Sequence, residues 1–92
     1  MRKARQRKIA HRVKRTIESM PLEEIRKARQ LTQAKLAEIL GVNQGQISKI
    51  EHRTDVYLST LAAYIEALGG TLEVRAVFAD REMRIDQFES LP

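Results

Sequence analysis

The sequence predicts a small, mainly α-helical domain, in which a bundle of short helices is followed by one strand or a short hairpin. Three observations lead there. Apolar residues recur at helical spacing from about Leu22 to Leu68, then alternate strictly from Leu72 to Phe78. Glycine stands where helices should stop, at Gly41 and at Gly69-Gly70. Only Tyr57, Tyr64, Phe78 and Phe88 are aromatic among 92 residues, so the one core a chain of this length can build is aliphatic, as in small helical bundles.

The elements follow in order. Residues 1–20 carry Ile9, Val13, Ile17 and Met20 at steps of four, four and three, one apolar stripe on an otherwise basic helix. Such a stripe must bury itself, either on the protein's own body or on a partner. Pro21 suits the first turn of a second helix, whose positive end Glu23 and Glu24 complement. Leu22, Ile25, Ala28 and Leu31 share a face of that helix. Thr32 caps a third helix, Gln33–Leu40, with Leu36, Ala37, Ile39 and Leu40 apolar and Gly41 as its left-handed stop. Val42 lies in the turn, and Asn43 with Gln46 forms a capping box for a short helix from Gln44 to about His52 that buries Ile47 and Ile50. Arg53–Tyr57 reads as a loop. A last helix then places Leu58, Leu61, Ala62, Ile65 and Leu68 on one side. Leu72, Val74, Ala76 and Phe78 form a half-buried strand, Ala79–Glu82 a turn, and Met83–Asp86 a short return strand.

Charge points to a polyanionic partner. Residues 1–20 hold eight Lys or Arg against Glu18 alone, a net +7, while the remaining 72 residues are close to neutral. A solvated basic tail is the plainer alternative. Without cysteine there is neither a disulfide nor a thiolate metal site. No apolar run is long enough for a signal peptide or a membrane span, so a cytoplasmic location is expected. His11 and His52 lie on separate helices, with no catalytic carboxylate pair and no phosphate-binding glycine loop. The sequence therefore predicts neither an enzyme nor a cofactor.

The stretch Gln33–His52 carries the chemistry. Leu36, Leu40, Val42, Ile47 and Ile50 lock two helices at a steep crossing, Ala37 is small where their axes approach, and Gly41 turns the chain. That combination predicts a DNA-binding helix-turn-helix rather than an incidental helical hairpin. On the second helix Asn43, Gln44, Gln46, Ser48 and Lys49 are polar where Ile47 and Ile50 point inward. A Gln amide offers a donor and an acceptor together, matching adenine N7 and N6 in the major groove. Gln33 opens the preceding helix, where free N–H groups attract phosphate, and Lys35 and Arg53 are exposed cations at the motif's edges. Thr32 completes the expected DNA-facing set.

The elements Thr32-Gln33, Leu36-Ala37, Gly41-Val42-Asn43 and Ile47-Ser48-Lys49-Ile50-Glu51 resemble the lambda-repressor-like (Cro/cI, XRE) family. The resemblance implies a lambda-repressor-like helix-turn-helix bundle in which Gln33 touches phosphate and buttresses Gln44, the first base-reading residue. Gly45 departs from the pattern, since that place often carries a second reading side chain; Gln46 and Lys49 then take more of the readout. From Tyr57-Leu58-Ser59-Thr60-Leu61 through Gly69-Gly70-Thr71-Leu72-Glu73-Val74 the chain is similar to a narrower group, the HigA-type antitoxins of toxin–antitoxin pairs. That likeness implies autorepression of an operon and neutralisation of a HigB/RelE-like toxin that cuts messenger RNA. A free-standing dimeric XRE-type regulator is the alternative.

The chain thus divides into a basic N-terminal helical arm (1–20), a DNA-binding body (21–70) and a C-terminal strand segment (71–92). The strand has nothing to pair with here except, at most, its short return. Pairing it across a two-fold axis through Leu72, Val74, Ala76 and Phe78 would give a homodimer suited to a palindromic operator. A basic toxin is not drawn to a basic arm by charge, so either it docks on the arm's apolar stripe, Ile9, Val13 and Ile17, or the arm is not its binding element.

Overall fold

The computed structural model describes residues 18–88; the expected arm helix with Ile9, Val13 and Ile17, and the last residues 89–92, lie outside them. Among the described residues four helices come first: α1 (Leu22–Ala28), α2 (Gln33–Leu40), α3 (Gln44–Glu51) and α4 (Leu58–Ala67). Strands β1 (Arg75–Val77) and β2 (Glu82–Arg84) follow, then a 3-10 turn at Asp86–Phe88. No helix among the described residues is long and apolar enough to cross a membrane.

Local chemistry sets the helix ends. Thr32 Oγ1 accepts the Lys35 N–H at 3.0 Å and Asn43 Oδ1 the Gln46 N–H at 2.9 Å, each satisfying one donor of the first turn. Gly41 ends α2 at φ 73°, where a side chain would be strained. Pro21 occupies the cap position of α1, one residue before the expected first turn. The connection from α1 to α2 turns through Gln30 at φ 63°, a left-handed residue that is not glycine.

The core is formed by Leu36 and Ala37 of α2, Ile47 of α3, and Tyr64 and Leu68 of the α4 end; Leu22, Ile25, Leu31, Leu40, Ile50 and Ile65 pack around it. Three expectations change here, the first being Val42, expected to help lock the two helices but 38% exposed in the turn. Ala28 is exposed, because α1 ends there and its inner face is taken by Leu22, Ile25 and Arg26. Ile39, grouped with the apolar residues of α2, is half exposed on the side away from the core.

The C-terminal segment departs more. The strand is not alone: β1 pairs antiparallel with β2, matching Arg75 with Arg84, Ala76 with Met83 and Val77 with Glu82. The Phe78 N–H bonds the Arg81 carbonyl at 2.8 Å to close the turn, and the Ile85 N–H bonds the Val74 carbonyl at 2.8 Å. Regular pairing covers three residues of β1 rather than Leu72–Phe78, and the return strand starts one residue earlier than expected. Directly opposed residues share a face, so Val74, Ala76, Met83 and Ile85 lie on one side and Arg75, Val77, Glu82 and Arg84 on the other. Leu72, Val74 and Ala76 are half-buried, whereas Phe78 is 52% exposed.

Candidate nucleic-acid interface

Helices α2 and α3 are the most extensively packed pair of helices among the described residues. Leu36 and Ile47, both with no exposed surface, hold them together. With the inner faces so occupied, the start of α3 turns its polar side to solvent: Asn43, Gln44, Gln46 and Lys49 are exposed, and Ser48 is half-buried. Gln33 stands beside them at the start of α2, half-buried, with Thr32 and Lys35 exposed nearby and Arg53 exposed just past α3. The nine residues expected to face DNA therefore fall on the α2–α3 unit and the loop after it. Lys35 pairs loosely with Glu38 at 3.6 Å. A Cβ at Gly45 would stand 3.3 Å from Asn43 Oδ1, so the bare position leaves the α3 cap uncrowded.

The amides are linked. Gln44 Nε2 donates to Gln33 Oε1 at 3.3 Å, and Gln33 Nε2 donates to Glu51 Oε1 at 3.0 Å. Glu51 ends α3 with its side chain wholly buried. Its carboxylate also accepts from Arg26 Nε at 2.6 Å and from the Tyr64 hydroxyl at 2.6 Å, while Arg26 Nη1 donates to the Leu31 carbonyl at 2.8 Å. Burial pushes the Glu51 carboxyl up, but hydrogen bonds from Arg26, Tyr64 and Gln33, and the Arg26 charge, outweigh it and hold the group below its ordinary range. Burial, and then the bond to Glu51, push the Tyr64 hydroxyl up. Glu51 is therefore ionised and Tyr64 neutral at physiological pH.

The Gln33–Gln44 link is the one the resemblance implied; the Arg26–Glu51–Tyr64 cluster behind it was not read from the sequence. Tyr64 was findable, since it falls three residues after Leu61 and four before Leu68, within the apolar stripe of α4. Arg26, four residues after Leu22, shares the inner face of α1, but only Glu51 opposite makes its burial tolerable.

Two closely packed helices joined by a tight turn, with exposed amides on the second, have the arrangement of a helix-turn-helix protein. The family profile described as Helix-turn-helix (HTH_3) matches residues 22–74, and the chain belongs to that family. Among its relatives are two candidate antitoxins of Mycobacterium tuberculosis: HigA3, 40% identical over 67 residues, and HigA2, 32% identical over 66. The matches take in 70% of this chain in both cases but 62% and 65% of those relatives, so the chain spans less than two thirds of their length. Two solved structures are similar. One, of DNA-bound antitoxin HigA3, has a TM-score of 0.66 at 38% identity and covers 75% of this chain and 92% of that one. The other, of a HigA antitoxin described as bending DNA through a unique dimerization, has a TM-score of 0.67 at 36% identity and covers 77% and 97%.

Proposed function

We propose that the protein is a DNA-binding transcriptional repressor and the antitoxin of a type II toxin–antitoxin operon, acting in the cytoplasm as a homodimer. The carrying observation is the exposed Gln33–Gln44 amide pair at the N-terminal ends of α2 and α3, set on a buried ion pair. Gln44 reads a base edge, with Gln46 and Lys49 beside it; Asn43 and Ser48 flank them. Thr32, Gln33, Lys35 and Arg53 meet phosphates and fix the register. The similar solved chains, one DNA-bound and one described as dimerizing, support this reading.

For the dimer, β1 has β2 along one edge only, and among the described residues no strand covers the other. Pairing that edge with the same edge of a second copy makes a four-stranded sheet and covers Leu72, Val74, Ala76 and Phe78 on its apolar face. The partner toxin, HigB/RelE-like, docks on the arm's stripe of Ile9, Val13 and Ile17; the naming of the relatives supports a toxin partner, and the apolar spacing of the stripe supports its place.

Duplexes tiled across the DNA preceding its own gene, titrated by fluorescence anisotropy, provide the test. One duplex should bind far more tightly than scrambled DNA, and binding of all duplexes alike would overturn the repressor. Purification with the product of the neighbouring reading frame separates antitoxin from free-standing regulator: no co-purifying toxin leaves the latter.

A further inference from the structure

An ionised carboxylate has no proton to give, so whichever Gln33 atom faces Glu51 must be the nitrogen. The amide is planar, so Gln33 Oε1 is thereby turned outward, and the Gln44 atom that meets it must again be a nitrogen. The distances follow this order, 3.0 Å from Gln33 Nε2 to Glu51 and 3.3 Å from Gln44 Nε2 to Gln33 Oε1. Arg26 and Tyr64 hold the carboxylate from behind, with its side chain sealed from solvent. Gln44 is then left with one outward arrangement, a free Oε1 and one remaining N–H in fixed sequence. An untethered Gln can rotate its amide by half a turn, exchange donor for acceptor and accommodate a different base edge.

We propose that Glu51, although buried away from DNA, determines which way round the Gln44 amide is presented and so which base is accepted at one position of each half-site. The inference rests on the DNA-binding reading above. Glu51 is a positioning residue, acting through Gln33.

The test is selection from a pool of duplexes with a randomised core, using the full chain, Gln44→Ala, Glu51→Gln and Gln33→Met. Gln44→Ala marks the base pair concerned. Glu51→Gln can donate or accept, which frees the chain of amides to reverse. It should lower the preference at that pair by about fivefold or more and leave other positions unchanged. Gln33→Met should do the same with the ion pair intact. A merely structural Glu51 would instead weaken all duplexes alike. Undiminished preference at the marked pair in folded Glu51→Gln overturns the proposal. Should circular dichroism show that variant unfolded, amide exchange in the unaltered chain decides. Slowed exchange of the Gln33 side-chain NH2 supports the tether, and exchange at the rate of a free amide refutes it. If Gln44→Ala changes no preference anywhere, the assignment of the reading helix fails first and this inference falls with it.

Discussion

The helical body and the C-terminal hairpin answer the same problem, how to bury an apolar face, in different ways. In the body, Leu36, Ile47 and Tyr64 have no exposed surface, and Arg26, the one buried cation among the described residues, is paired with Glu51. The hairpin is finished on one side only. There Arg75 meets Glu82 at 2.8 Å and Glu73 at 3.7 Å, and Arg84 meets Glu73 at 3.7 Å, giving a solvated charge lattice. On the other side Met83 is 45% exposed and Phe78 more so. Two three-residue strands are marginal alone. The contrast is between a body whose core is closed and a hairpin that leaves apolar side chains in solvent, the face that the proposed dimer would use.

If so, damage to the body should cost stability and damage to the hairpin assembly. The largest effect is expected from Arg26→Met, which leaves the Glu51 carboxylate buried without its cation. Urea denaturation should show a loss of about 3–5 kcal/mol. A loss under about 1 kcal/mol would mean that water reaches Glu51 and that the body is looser than its packing implies.

Next comes Gln44→Ala, which removes the exposed end of the amide chain and should weaken operator binding by about 1–3 kcal/mol while relaxing one base pair. Lys35→Ala should instead weaken all DNA alike and flatten the salt dependence by about one unit. Parental affinity of Gln44→Ala for operator would show that α3 is not the reading helix.

Acid should expose the body's dependence on Glu51. Unfolded, this carboxyl takes up its proton near its ordinary 4.5; folded, it does so only at lower pH. The unfolded chain therefore binds the proton first as pH falls. The Glu51 contribution is complete above that ordinary value and is lost progressively below it, towards the depressed folded value. Tyr64→Phe removes one of the bonds holding the carboxylate, so its urea midpoint should fall less steeply between pH 5 and pH 3 than that of the parent. An identical acid slope would remove Tyr64 from the account.

The smallest effect on the body should come from Phe78→Asp. Phe78 is exposed and outside the core, so unfolding of the helical body should shift by no more than about 0.5 kcal/mol. Light scattering should nevertheless report monomer in place of dimer, because an unpaired charge would sit in the proposed strand interface. A dimer of unchanged mass would move the interface off the hairpin.

The sequence by itself determined whatever local rules and periodicity control. The α2 limits Gln33–Leu40 follow from Thr32 and Gly41, the start of α3 follows from Asn43, and the apolar spacing leaves Gln44, Gln46 and Lys49 on the wet side. Each of these is decided within a few residues, so one chain read in order suffices. The tertiary structure alone decided the rest. Arg26, Glu51 and Tyr64 lie 25 and 13 residues apart along the chain. A charge can be buried only when its partner arrives from another helix, which no local pattern records. The same holds for the hairpin: alternation foretold a strand, but whether β2, a second copy or water would face β1 depended on where the chain turned at Phe78–Arg81. What binds across distance was decided in space, because desolvating a charge or a strand edge is tolerable only where the complementary group is already in place.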